Sequence, residues 1–355
     1  TVMQKHPIHS QSAFSSCLVW GLLLLALSPG CGKSKTFDGK DAGSDSDSDG
    51  DVTPGTFPYD LCWTDARGVL CMEFGHEPVV LQPAFDPVDI VILSEKDQLY
   101  WTDSIDGSIW RASLNGSEPY RLLKNISDPR SLAISGEHIY WVAYDSIQRA
   151  KLSGGPVENI VTDLVPMSGF HPSSIHIAIA GDMLFWSEPA QGRVMRSSLD
   201  GSNPQTVGTS NRPSALAVTD TKLYWVDNFE HRILRANLDG TEQMQFAGTG
   251  DTRFIPDLIV ANNKLYRSAV DATTFQTGSI ASCTLESPPA CDTDIWDIGT
   301  PSGLSVLGDT LYWIDEATSK IRHLKIGSTE VTDLITGTNA AQGIVAVKNK
   351  LYWIN

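Results

Sequence analysis

Along most of the chain the apolar positions either alternate with polar ones or run together over four to seven residues, as in Ser214–Val218, Lys222–Asp227 and Arg232–Leu238. These runs are rich in β-branched and aromatic side chains. Asp-Gly, Asn-Gly and Pro-Ser pairs punctuate them. Such a pattern predicts short strands joined by tight turns, and no helical period persists.

The same run also recurs. Aromatic pairs or near-equivalents stand at Cys62-Trp63, Tyr100-Trp101, Tyr140-Trp141, Phe185-Trp186, Tyr224-Trp225, Tyr266-Arg267, Tyr312-Trp313 and Tyr352-Trp353. Between second members the spacings are 38, 40, 45, 39, 42, 46 and 40 residues. Ile109, Val194, Ile233 and Ile321 each follow the Trp by eight residues, and Arg111, Arg196, Arg235 and His323 come two later. Each copy reads as four strands: an inner one after a Pro, the Tyr-Trp strand, the Ile-x-Arg strand and an outer one. Four short strands per roughly 40 residues is the signature of a propeller blade, whose sheet buries both faces only against neighbouring blades.

Tyr100-Trp101-Thr102-Asp103 with Ile109, Arg111, Leu114 and Gly116 resembles the YWTD, or class B, repeat of the low-density-lipoprotein receptor family, which forms β-propellers. The match recurs at Tyr224–Asp227 and Tyr312–Asp315, and the copies cover the chain after residue 59. Those propellers are usually six-bladed, and cysteine-rich modules flank them. A residue needed in every copy is needed by the blade, so the repeated Trp is expected to wedge between blades. The Asp is expected to accept turn N–H groups, with the repeated Arg offsetting its charge. The last copy supplies only Gly343–Val347 and a Tyr-Trp strand, and the first lacks an inner strand. The hairpin from Leu61 to Phe74 is therefore expected to complete the final blade. The fold expected is all-β, a propeller of four-stranded blades, seven in number, with eight or six as alternatives.

Residues 59–355 form this propeller, and 1–58 read differently. Lys5 precedes the ten-residue apolar run Leu18–Leu27, which is short for a bilayer span and suits a signal peptide over 1–30. Ser28-Pro29-Gly30-Cys31 resembles a bacterial lipoprotein signal, which implies a lipidated Cys31 and a protein anchored in the bacterial cell envelope. Gly32 favours the outer over the inner membrane, since Asp there goes with inner-membrane retention. An ordinary cleaved signal with a spare Cys is the alternative. Residues 31–58 then comprise the anchor and a linker too poor in apolar side chains to fold. The tract Asp45–Asp51 resembles the opening of a calcium loop, but Thr56 stands where a bidentate Glu is required and Pro54 intrudes, so it reads as a charged tether.

Export fits the remaining cysteines, which pair economically as Cys62–Cys71 and Cys283–Cys291. Zinc ligation is the rival, but the C-x₂-C spacing is absent. The net charge is −16, and residues 1–31 hold Lys5 and no acid, so the remainder is one unit more acidic. Such a surface argues against nucleic acid.

Motifs for catalysis are missing: there is no G-x-S-x-G, no H-E-x-x-H and no Gly-rich phosphate loop. The enzymatic alternative is a hydrolase or lyase of the lactonase-like propeller type, with a metal in the central tunnel. The inner-strand starts offer only Asp89 and Asp257 as carboxylates, too few for a metal cage. The expected function is non-catalytic recognition by a monomer without cofactor or metal, the ligand being a protein, peptide or glycan; a structural envelope component is the third class. The expected binding face gathers the loops leading into the inner strands and those between second and third strands. It carries Arg130, Phe170, His171, Arg212, Phe229, Arg253, Phe254 and Phe275.

Overall fold

The computed structural model describes residues 61–65, 68–72, 79–82, 86–113, 118–166, 175–248, 253–271, 273–274, 277–291, 295–296, 298–338, 343–347 and 350–354, with the backbone alone for 61–82 and 346–354. Apart from a 3-10 turn at Ser94–Lys96, every regular element among them is a strand. No helix among the described residues is long and apolar enough to cross a membrane.

The blade at 213–248 shows how the repeat folds. Its inner strand Pro213–Val218 pairs antiparallel with Lys222–Asp227, then Arg232–Asn237, then Met244–Gly248. Five blades are four-stranded meanders of this kind, and in a sixth the inner strand is split into Arg253–Phe254 and Leu258–Ala261, both paired with Lys264–Asp271. The split falls where other inner strands bulge just after their proline, between Pro87 and Ile90 and between Pro213 and Leu216. A bulge here leaves a residue out of the ladder and re-aims it towards the propeller axis.

The seventh sheet joins the two ends of the propeller. Gly343–Val347 and Lys350–Ile354 form a hairpin, and Leu61–Asp65 adds to it in parallel, Leu61 opposite Leu351, followed by Gly68–Met72 and Val79–Gln82. The N-terminal hairpin thus completes the final blade, as the repeat count leads one to expect. The sheet has five strands rather than four, because the first and last copies each contribute a Tyr-Trp-type strand. The inner strand Gly343–Val347 touches both Pro301–Leu307 and Pro87–Leu93, so the ring of inner strands closes. Six four-stranded blades and this composite sheet make a β-propeller.

Its core is divided into wedges between blades. Tyr140, Val142 and Ile147 of one blade meet Leu184 and Trp186 of the next, and Phe185, Val194 and Val207 meet Leu223 and Trp225. Trp101, Trp141, Trp186, Trp225 and Trp313 are all buried to within 1% of full enclosure. The fit is close: a Cβ on Gly208, in the outer strand of the preceding blade, would lie 2.8 Å from the Trp225 ring.

The repeated Asp behaves as the repeat pattern predicts. Asp227, fully buried, accepts N–H groups of Phe229 and Glu230 in its own hairpin (both 3.2 Å) and of Asn211 in the lead-in loop (3.4 Å). Asp103 likewise accepts from Asp86 and Asp106, and Asp315 from Thr300 and Thr318. The repeated Arg differs from expectation. The cations on the Asp come from elsewhere on the third strand, Arg232 on Asp227 (3.5 Å) and Arg322 on Asp315 (3.1 Å). Arg149 and Arg196 instead reach the following blade, donating to the carbonyls of Leu199 and Leu238 at 2.9 Å each. Register explains this: Arg149 and Arg196 stand opposite Tyr140 and Phe185, well down the strand from the hairpin that holds the Asp position.

Candidate binding face

Strand direction fixes two faces. Pro87 pairs with Asp103, Pro213 with Asp227 and Pro301 with Asp315, so each lead-in loop lies beside the hairpin between second and third strands. These make the loop face; the remaining connections make the turn face. One backbone bond ties each pair of loops: Ser104 N to Asp86 O, Tyr144 N to Ser127 O, Asn228 N to Arg212 O and Glu316 N to Thr300 O, at 2.8 to 3.1 Å. The backbone support is common to the blades, and the side chains it carries differ.

Among the described residues the exposed large apolar side chains concentrate on this face. Ile105, Tyr144, Val165, Phe229 and Trp296 are each more than half exposed there; Tyr120, Val157 and Met244 lie at the starts of outer strands or beside them, towards the turn face. The densest group crosses one blade boundary. Phe229 is 60% exposed at a hairpin tip. Two residues on, His231 Nδ1 donates to Arg253 O at 2.8 Å. The Arg253 guanidinium lies 3.6 Å from the Trp296 ring centroid, and its Nη1 donates to Ser279 Oγ at 2.7 Å. An Arg laid on an indole is held flat with little rotamer freedom left to lose on binding.

The residues singled out in the sequence have separate fates. Phe229 and Arg253 come together in this patch. Arg212 is half-buried in the neighbouring lead-in loop, and Phe254 is half-buried in the ladder opposite Val270. Arg130 is only 13% exposed, with Nε on Asp128 at 2.8 Å, which leaves it little surface to offer. Phe170, His171, Phe275 and Cys31 lie outside the described residues. Cys283 and Cys291 form a disulfide. Cys62 and Cys71 stand opposite each other in the backbone ladder, and their side chains lie outside what is described. Trp296 is not among the expected residues, although the sequence carries a signal for it: it is one of the few Trp outside the repeated position.

The hub has a different character. The residue just before the position paired with the repeated Trp, or with Arg267 in its place, is Asp89, Ser131, His176, Ala215, Asp257 or Gly343, and Gly303 lies at the bulge of the remaining inner strand. Asp89 Oδ1 accepts from its own Ile90 N (2.8 Å) and Oδ2 from Leu132 N of the next blade (2.7 Å). Asp257 does the same for Leu258 N (2.7 Å) and Leu304 N (2.5 Å), and Ser131 Oγ accepts Ile177 N (3.1 Å). Each Asp follows a blade whose own hub residue, Gly343 or Ala215, has no acceptor to reach forward, so one carboxylate serves two strands. Burial pushes the Asp89 carboxyl up to about 6, aided by the charge of Asp257. Burial also raises Asp257 and holds His176 down to about 4. Among the described residues no cluster of three or more His, Cys, Asp or Glu is placed to hold a metal.

Three comparisons bear on this architecture. The Low-density lipoprotein receptor repeat class B family matches residues 97–134. Protein cueball of Drosophila yakuba is 29% identical over 152 residues, which is 39% of this chain and 22% of that one, so the chain spans about a fifth of this relative's length. Among solved structures, a chain of a nidogen/laminin complex superposes with a TM-score of 0.52 at 20% identity, over 69% of this chain and 97% of that one. A streptogramin B lyase gives 0.61 at 12% identity, over 75% and 89%. A protein of unknown function from Desulfotomaculum acetoxidans gives 0.59 at 11%, over 81% and 95%. At these identities the structures speak for the fold alone. Residues 97–134 match the class B repeat of the low-density lipoprotein receptor type, and the YWTD pattern recurs in the blades around them.

Proposed function

We propose that this propeller is a non-catalytic recognition module that binds a protein or peptide partner on its loop face. The observation that carries the reading is the patch of Phe229, His231, Arg253 and Trp296. It combines exposed aromatic area with a pre-oriented guanidinium, and these are the side chains on which interface energy concentrates. The nidogen-containing complex has a protein partner, which agrees with recognition as a use of this fold. Chemistry in the hub is the weaker reading, because both oxygens of Asp89 and of Asp257 already accept backbone N–H groups that hold blades together. The double variant Phe229→Ala/Trp296→Ala is expected to lose the partner recovered from a cell-envelope extract while its melting temperature stays unchanged. Retained capture, with loss on changing Met244 and Val157 instead, contradicts the proposal.

We also propose display at the bacterial cell envelope through lipid on Cys31, with the outer membrane favoured. The sequence around Cys31 supports it, and acyl chains supply the membrane affinity that the propeller does not need to provide. Fatty-acid labelling of the wild type and its loss in Cys31→Ser is the expected result. Absence of label on the wild type removes the anchor.

A further inference from the structure

Beside the aromatic patch, an open polar depression of about 570 Å³ lies between the blades at 177–209 and 213–248. Gln191, Thr209, Ser210, Asn211 and Arg232 line it. The cavity stands on the loop face, since Gln191 belongs to a hairpin between second and third strands and 209–211 lead into an inner strand. Its wall is rigid: Ser210 N donates to Gly192 O at 3.0 Å, and Gly192, at φ +67°, could not carry a Cβ because it would lie 2.8 Å from Ser210 O.

The lining is under-used by the protein. Ser210 Oγ accepts the Trp225 indole N–H at 3.2 Å, which leaves the hydroxyl proton to donate. Asn211 gives its amide to Glu230 at 3.3 Å, which leaves Oδ1 to accept. Arg232 has one long contact, from Nη2 to Asp227 at 3.5 Å. Its counterparts in other blades are occupied or uncharged. Arg193 is closed on Glu188 at 2.6 Å, Lys320 on Asp333, and Ser108 and Ser146 hold the same register position.

The electrostatics choose among ligands. The Arg232 charge is offset by Asp227 beneath it, and Glu230 stands at the rim, so a carboxylate or phosphate gains little. A nearly neutral lining rich in side chains that both donate and accept suits a ligand whose own groups do both, as vicinal hydroxyls do. We infer that this inter-blade cavity is a saccharide-binding subsite. The inference deepens the reading of the loop face as the recognising surface, yet it stands on residues outside the aromatic patch.

The test is saturation-transfer NMR on the full chain with maltose, cellobiose, lactose and diacetylchitobiose at millimolar concentration. At least one disaccharide is expected to bind. Gln191→Ala/Asn211→Ala, both exposed positions, is expected to weaken binding about tenfold or more, from the loss of two hydrogen-bonding groups, with an unchanged melting temperature. Phe229→Ala/Trp296→Ala should leave this binding in place, so the subsite and the protein-binding reading fail separately. No transfer with any of the four, transfer unaffected by the double cavity variant, or displacement by a Glu-rich peptide overturns the inference.

Discussion

The two faces of the propeller use the same repeat in opposite ways. On the turn face the copies coincide: Asp200 accepts Ser202 N and Asp239 accepts Thr241 N, both at 2.9 Å, and Leu199 and Leu238 offer carbonyls to the arginine of the preceding blade. These turns press on their neighbours. A Cβ on Gly201 (φ +82°) would lie 2.1 Å from Ile160 O, so only glycine fits. On the loop face the backbone bonds recur but the tips do not, with Ile105, Tyr144, Ala190 and Phe229 at neighbouring positions of successive hairpins. Repetition marks what the ring requires. Variation marks where selection for a partner is free to act.

The comparison breaks most visibly at the wedge. Trp225→Ala should cost about 3 to 5 kcal/mol in a denaturant melt, since it empties the packing between two blades. A change within about half a kcal/mol, the range of ordinary surface substitutions, would mean that the repeated ring is not structural.

The hub gives the next effect, and its sign is the test. Asp89 has a folded pKa of about 6 against an ordinary value near 4, so the folded state holds more protons in that window. Its contribution is present below the window and is lost as pH rises through it. His176, at about 4 against 6.5, does the reverse: its contribution is present above 6.5 and is lost as pH falls. The two offset each other in the wild type. Relative to it, His176→Asn should lose up to about 3 kcal/mol as pH rises from 4 to 6, and Asp89→Asn should gain a similar amount. Parallel stability profiles for both variants would show that neither group is shielded at the hub.

A smaller loss is expected from Gly208→Ala. The added methyl meets the Trp225 ring and should cost about 1 to 3 kcal/mol by calorimetry. Neutrality there would place the ring elsewhere. The least change in stability belongs to Phe229→Ala, within about half a kcal/mol, although it is the change expected to weaken partner capture most.

Much of this architecture is legible in the sequence. The Tyr-Trp spacing carries the blades because a wedge residue must recur wherever a blade meets the next. The closing hairpin follows from what the first and last copies lack. Arg196 departs from its expected place beside the Asp because sequence spacing does not say which neighbour a long side chain reaches; here it is the next blade's carbonyl. His176 does not stand out in the sequence, since the hub position is set by the register that pairs Ile177 with Trp186. The binding patch was half visible. Phe229 and Arg253 stand out as loop residues, but Trp296 lies far along the chain, and only the pairing of Trp296 with Ser279 brings it under Arg253. Arg130 was indistinguishable from Arg253 in sequence, and an ion pair to Asp128 separates them.

The central claim is that recognition belongs to the loop face. A photo-crosslinking amino acid at position 229, with the same group at position 244 on the opposite side as its control, tests it most directly in intact envelope. The account predicts a discrete crosslinked partner at 229, lost in the Arg253→Ala/Trp296→Ala background, and none at 244. The same partner captured from 244 and absent from 229 would contradict it.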